Sequence, residues 1–207
     1  MKKTFTVKKG KHYFKGIKFQ ELFYPLITLA LAIILYFVST IDILFSWISL
    51  GVSVFFYVLV AIKLSNLEIQ ARFRENCLYL LESNFEQINK LYGLSEGWHH
   101  KNSARFGWRV KGHKIEILAY TYMNGKRDSK PLMICEINEW VKLELHLLRD
   151  KYVFVGENED GEKAKVSMPR KTGFRFGKLF IYKLFPYFGG SVPAPHDMSI
   201  DIVEKEK

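Results

Sequence analysis

The chain has 207 residues, 48% of them apolar and 25% charged. Its mean hydropathy is −0.04, which excludes a disordered or low-complexity chain, and its two cysteines exclude a disulfide framework. The formal net charge of +10 gathers at one end, where Lys2, Lys3, Lys8, Lys9, Lys11, Lys15 and Lys18 stand against one acid, Glu21.

In chain order, Phe5 and Val7 alternate with Thr4, Thr6 and Lys8. Residues 1–19 therefore read as a basic arm able to supply the first strand of a sheet. Two uncharged apolar runs follow, Leu22 to Val38 (extendable to Ile41) and Ile43 to Ile62. Each is about 20 residues, the length that crosses a ~30 Å hydrocarbon layer as a helix. Asp42 lies between them, where a turn would return its carboxylate to water. Ala30-Leu31-Ala32 fits a small-x-small cleavage pattern, but Ile33 to Val38 continues the apolar run, which predicts no cleavage. Residues 20–63 are thus predicted as a two-helix transmembrane hairpin. Lys63, Arg72 and Arg74 follow it, and its tip carries no basic residue. That asymmetry predicts a multi-pass protein of the cell inner membrane with both termini cytoplasmic. Ser46, Ser49 and Ser53 on one helix, with Thr28 and Ala32 on the other, predict homo-oligomer contacts through the hairpin.

Residues 64–207 read as a cytoplasmic β-sandwich. In Ala104 to Lys111 apolar residues take the even positions, while Arg105, Arg109 and Lys111 take odd ones, as in a strand with one buried and one basic face. Ile115 to Met123 alternates again, and Asn124-Gly125 is a strong hairpin signal because both residues tolerate positive φ. Leu132 to Ile137, Val141 to Leu148, Tyr152 to Gly156, Lys163 to Met168, Lys178 to Leu184 and Met198 to Val203 read as further strands. Asn66 to Asn76 reads either as a continuation of the second helix or, from Glu68, as a strand, with Leu91-Tyr92-Gly93 bridging into the sandwich. The predicted fold class is mainly β with two transmembrane α-helices: an antiparallel, jelly-roll-like sandwich plus the hairpin. Cys77 and Cys135 sit among apolar neighbours and read as buried free thiols.

Several segments carry a family resemblance. They are Lys8-Lys9-Gly10-Lys11-His12-Tyr13, Asn89 to Gly93, His99 to Trp108, Asn124-Gly125-Lys126-Arg127, and Phe185 to Gly190 followed by Pro193-Ala194-Pro195-His196-Asp197. Together they resemble an uncharacterised family of small bacterial β-rich proteins, here with the hairpin inserted. The resemblance implies the insertion and no activity. In architecture alone, two spans with a β domain are similar to membrane effectors of bacterial anti-phage nucleotide signalling.

The densest polar cluster is His99, His100, Asn102, Ser103, Arg105 and Arg109. Arg105 and Arg109 share a strand face about 13 Å apart, a spacing suited to an extended anion. Arg105, Arg109, His100, Asn102, Tyr120 and His196 are the predicted ligand-binding residues. The predicted ligand is a small anionic one such as a nucleotide. Ser103 and His100 lack the spacing of a hydrolase elbow, so no catalytic residue and no enzyme is predicted. His99, His100, His196 and Asp197 lack metal-ligand spacing, so neither metal nor cofactor is predicted. The basic excess beyond the arm is modest, which places extended nucleic acid below a small ligand. The expected function is a membrane-anchored protein whose β-domain binds a ligand and couples it to the hairpin, as an effector or accessory of antiviral defence, with the lipid bilayer as partner. The alternative is a carbohydrate-binding or structural membrane-anchored module, since Tyr120, Tyr122, Tyr152, Phe154, Tyr182, Tyr187 and Phe188 offer rings for stacking.

Overall fold

The computed structural model describes residues 2–12, 14–15, 66–80, 87–170, 181–189 and 192–205. These residues form β1 (Lys2–Val7), β2 (Phe14–Lys15), β3 (Asn66–Phe73), β4 (Asn89–Glu96), β5 (Asn102–Lys111) and β6 (Lys114–Met123). They continue through β7 (Lys126–Cys135), β8 (Trp140–Leu147), β9 (Lys151–Glu157), β10 (Lys163–Pro169), β11 (Ile181–Leu184) and β12 (Met198–Glu204). A single 3-10 turn, Glu75–Cys77, follows β3. One sheet has the order β10-β9-β8-β3-β12-β1-β2, the other β11-β4-β5-β6-β7, and every pairing is antiparallel.

Period-two alternation builds the space between the sheets. On β8, Val141, Leu143, Leu145 and Leu147 are buried while Trp140, Lys142, Glu144 and His146 face outward. Leu67, Ile69, Ala71 and Phe73 do the same on β3, and Ala104, Phe106 and Trp108 on β5. Rings from the two sheets interlock: Phe106 meets Phe154 at 5.3 Å, Phe73 meets Trp108 at 5.2 Å, and Phe5 meets Tyr92 at 6.5 Å between centroids. Each such side chain contributes about 1.5–3 kcal/mol of apolar burial. Cys77 and Cys135 lie in this core as free thiols, and burial pushes both up to about 12, which leaves them unreactive at neutral pH.

Asp201 ties β1 into the larger sheet. It is fully buried, accepts a hydrogen bond from Thr4 Oγ1 at 2.8 Å, and faces Arg72 at 2.8 Å, Arg74 at 2.5 Å and Lys2 at 3.6 Å. Burial alone would raise its pKa. The Arg72 and Thr4 hydrogen bonds and the Arg74 and Lys2 charges outweigh that and hold it below the usual carboxylate value. A depressed carboxyl stabilises the fold above its unfolded value of about 3.9, and that contribution is lost as pH falls through the folded value. Asp201→Asn is therefore expected to lower the urea midpoint at pH 7 and to flatten its fall between pH 5 and 3. An acid slope equal to the parent's would place the acid-sensitive group elsewhere.

These observations correct several sequence expectations. Among the described residues no helix is long and apolar enough to cross a membrane, and the mainly β class with two transmembrane helices is corrected to an all-β class for those residues. The predicted hairpin, residues 20–63, lies outside the described residues. Asn66 to Phe73 is a strand paired with β8 and β12, and does not continue a helix. The lipid bilayer as partner, oligomerisation through the hairpin, the inner-membrane multi-pass topology and the coupling of a ligand to membrane helices in antiviral defence all required those helices. None of these expectations is supported, because uncharged length is a necessary condition for a span and does not establish one.

Candidate functional site

Register places the candidate site on the outer face of the five-stranded sheet. Even-numbered residues of β5 point into the core, so Ser103, Arg105, Gly107 and Arg109 point away from it. One cross-strand row reads Tyr182, Ser95, Ser103, Tyr122, Arg127; the next reads Leu184, Gly93, Arg105, Tyr120, Ser129. Small residues on β4 and β5 thus stand between Tyr182 on β11 and the tyrosine pair on β6; Ser95, Ser103 and Tyr120 are buried, while Tyr122 and Tyr182 are partly exposed. Arg105 lies opposite Tyr120 in the second row.

Gly93 is required for this packing. A Cβ there would fall inside contact distance of the Ala104 carbonyl and 2.6 Å from Arg105 Cα. Gly93→Ala is expected to push β4 and β5 apart and to destabilise the fold by about 1–3 kcal/mol, read as a lowered thermal midpoint. An unchanged midpoint would contradict the close approach of the two strands.

Arg105 is only 8% exposed, and its Nε has no hydrogen-bond partner. A solvated strand face would leave this side chain in water. Among the described residues no carboxylate pairs with it. Desolvation pulls its pKa down, only partly offset by Tyr120, Tyr122 and Tyr182 nearby. Two further cations share the neighbourhood. Lys90 Nζ donates to the carbonyls of Ile88 at 2.8 Å and Gly189 at 2.9 Å, and sits 5.2 Å from the Tyr120 ring centre. Desolvation, then the charges of Arg105 and Arg127, bring Lys90 down to about 8. A buried guanidinium with an idle donor, ringed by tyrosines, is a polar group prepared for something outside the chain.

The rim is aromatic and imidazole-rich. His99 Nδ1 lies 3.2 Å from the Tyr182 hydroxyl, and the His99 and His100 rings are 4.2 Å apart. His100 meets the edge of Tyr122 at 5.7 Å, and Tyr122 meets Tyr120 at 5.8 Å. Desolvation, then the charges of His100 and Arg105, lower the pKa of His99.

Of the predicted residues, Arg105, Tyr120 and His100 come together here. Arg109 shares the face but is engaged by Glu116 at 2.6 Å, where Lys111 also binds at 2.8 Å. A two-arginine grip on an extended anion would have to compete with the Glu116 carboxylate for Arg109, and nothing in the arrangement supports a nucleotide. Asn102 pins a turn, its Oδ1 accepting the Asn124 N–H at 3.1 Å. His196 lies apart, before β12, with Nε2 2.9 Å from the Asn76 carbonyl, next to the Asp197–Lys8 ion pair. Sequence reasoning missed Lys90 and Arg127 as site residues and left Tyr122 and Tyr182 as a general aromatic set. Arg127 was accessible by counting across Asn124-Gly125, which sets it opposite Tyr122. Lys90 and Tyr182 needed the placement of β4 and β11.

No protein-family model matches the chain, and no curated protein matches it, so the family resemblance read from its segments is not supported. Among solved structures it is similar to a xylan β-1,4-xylosidase from Bacillus halodurans C-125, at 11% identity and a TM-score of 0.39 over 68% of this chain and 27% of that one. It is similar to scytalido-glutamic peptidase at 10% identity and a TM-score of 0.36, over 69% of this chain and 60% of that one. A protein of unknown function from Saccharomyces cerevisiae aligns at 11% identity and a TM-score of 0.40, over 69% and 71%. The chain spans about a quarter of the xylosidase and under two thirds of the peptidase. Likenesses of this size carry no argument about activity or ligand.

Proposed function

We propose that the chain is a non-catalytic binding module whose five-stranded sheet face takes a carbohydrate. The observation that carries this reading is Arg105, a buried guanidinium with an unpartnered donor set among Tyr120, Tyr122 and Tyr182. A guanidinium fork suits neighbouring sugar hydroxyls, which accept two parallel hydrogen bonds. Tyr120 is buried, and the partly exposed Tyr122 and Tyr182 are the rings that offer an apolar face with a polar tip, the combination that packs on a pyranose and bonds its rim. The side chains stand on paired strands, so they are held in place before any ligand arrives.

Support for a non-catalytic role comes from how the reactive groups are used. Ser103 Oγ donates to the His99 carbonyl at 2.7 Å and not to an imidazole. Among the described residues each buried carboxylate is engaged by a guanidinium: Glu96 by Arg170, Glu116 by Arg109 and Asp201 by Arg72. A general acid–base pair would need a carboxylate free to exchange a proton with a substrate.

The test is affinity electrophoresis of the full chain in gels containing hydroxyethyl cellulose, xylan, mixed-linkage β-glucan, polygalacturonate or glycol chitin. Retardation by at least one polymer is expected, with loss of that retardation in Arg105→Lys, which keeps the charge and removes the fork. Free migration in all of them would remove the carbohydrate reading.

A further inference from the structure

Two ends of the sandwich carry turns of opposite charge. At one end the β4–β5, β6–β7 and β8–β9 turns are tied together. The Gly125 N–H donates to the Lys101 carbonyl at 3.0 Å, and Arg170, bound to Glu96, donates to the Leu148 carbonyl from its side chain and to the Asp150 carbonyl from its backbone. Residues 97–101, 124–127 and 148–151 carry Lys101, Lys126, Arg127, Arg149 and Lys151 against one acid, Asp150, all of them exposed. Two large apolar side chains stand in water among these cations: Trp98, 73% exposed, and Leu148, 43% exposed.

β7 and β9 both run from this end to the other. The ten residues of β7 span about 30 Å. At the far end the β7–β8 and β9–β10 turns touch. The Trp140 N–H donates to the Glu159 carboxylate at 3.0 Å, and the Glu159 N–H donates to the Glu139 carboxylate at 3.3 Å. Residues 136–139 and 157–162 hold Glu136, Glu139, Glu157, Glu159, Asp160 and Glu162, with no Lys or Arg. Lys114 and Lys163 pair with Glu136 and Glu157, which leaves the other carboxylates in surplus. Ile134, two residues before this pair of turns, is 47% exposed.

A surface charge acts over about 8 Å at physiological ionic strength. The net +10 of the chain therefore does not mask the acidic turns, and each set of turns shows its own sign. Like ends repel, which disfavours a two-fold contact, whereas unlike ends are complementary. Exposed apolar side chains set among charges have the make-up of an interface with a dry centre and a polar rim.

We infer that this protein binds a second copy of itself head to tail. The basic turns, with Trp98 and Leu148 among them, receive the β7–β8 and β9–β10 turns of the next copy. The contact is heterologous, so each pair keeps one unused end of each kind and can extend further. It lies at the ends of the sandwich and stands independently of the carbohydrate reading.

Sedimentation velocity of the full chain tests this, from about 10 μM to about 500 μM, in low salt and in about 0.5 M salt. The sedimentation coefficient is expected to rise with concentration in low salt and to stay flat in high salt. Two surface variants each remove one side of the contact: Trp98→Ala with Arg149→Ala, and Asp160→Asn with Glu162→Gln. Each alone is expected to associate at least tenfold more weakly than the parent. An equal mixture of the two is expected to form dimers and nothing larger, because only one junction remains intact. A parent chain that stays monomeric throughout overturns the proposal. So does undiminished association of either variant alone, or a mixture that forms no dimer.

Discussion

Replacing Arg105 with methionine is expected to make the protein more stable and unable to bind. The guanidinium is buried, its Nε is idle, and no carboxylate among the described residues offsets its charge. A buried polar group without a partner costs about 1–3 kcal/mol in folded proteins. Methionine keeps most of the aliphatic stem and removes the unsatisfied head. The gain should appear as a higher melting temperature, at about 2–4 °C per kcal/mol for a chain of this size. Arg105→Lys should lose binding without the gain, because its ammonium remains buried and uncompensated. A melting temperature lowered by the methionine substitution would show that Arg105 is held by the fold for the fold's own sake. A stability deficit released by removing one side chain marks a position kept for recognition.

Glu96→Ala is expected to act in the opposite sense, destabilising by about 3–5 kcal/mol. Glu96 sits at the end of β4 and accepts two hydrogen bonds from Arg170, which follows β10 in the other sheet. It accepts a third from the Tyr152 hydroxyl of β9 at 2.7 Å. Arg170 also donates to the Leu148 carbonyl, so every member is engaged and buried. Removing the carboxylate strands a guanidinium and a phenol in the interior. The double variant Glu96→Leu with Arg170→Met should recover most of the loss, since neither charge is then left alone. Equal instability of single and double variants, measured as urea midpoints, would mean that Glu96 matters for its shape alone. Arg105 and Arg170 are therefore both buried arginines, but only Arg170 is matched from within.

What could be read beforehand follows from which strands have one dry and one wet face. β5 and β6 alternate cleanly, and Asn124 and Gly125 both take positive φ, 52° and 81°, as a two-residue hairpin needs. β7 starts at Lys126, six residues earlier than the apolar residues suggested, because its first half is an exposed edge carrying Lys126, Arg127, Asp128 and Lys130. Hydrophobic periodicity is silent on such an edge. β4 was read as a bridge because a register shift between Lys90 and Tyr92 breaks its alternation, and because Asn89, Ser95 and Glu96 are polar yet buried. The hydropathy of residues 22–62 indicated what lipid would tolerate, and the strands on either side of that stretch carry no such information. Within the site, Arg105 and Tyr120 were chosen for the clustering of polar groups at one strand end, and the register then sets them opposite each other on adjacent strands. Arg109 was included for its spacing from Arg105 on the same strand face, which does not reveal its ion pair with Glu116, and His196 is engaged by the Asn76 carbonyl.

The position of β12 between β3 and β1 sets the order of events during synthesis. Lys2 pairs with Val203, and Asp201 receives Thr4, Lys2 and Arg72 from both neighbours. Until residue 204 has left the ribosome, β1 has no partner on that side, and β3 has only β8. The smaller sheet, joined by short hairpins from β4 to β7, is free to assemble first. The larger one closes last, through contacts that span nearly the whole chain, a topology associated with slow folding and with dependence on chaperones while its edges stand open.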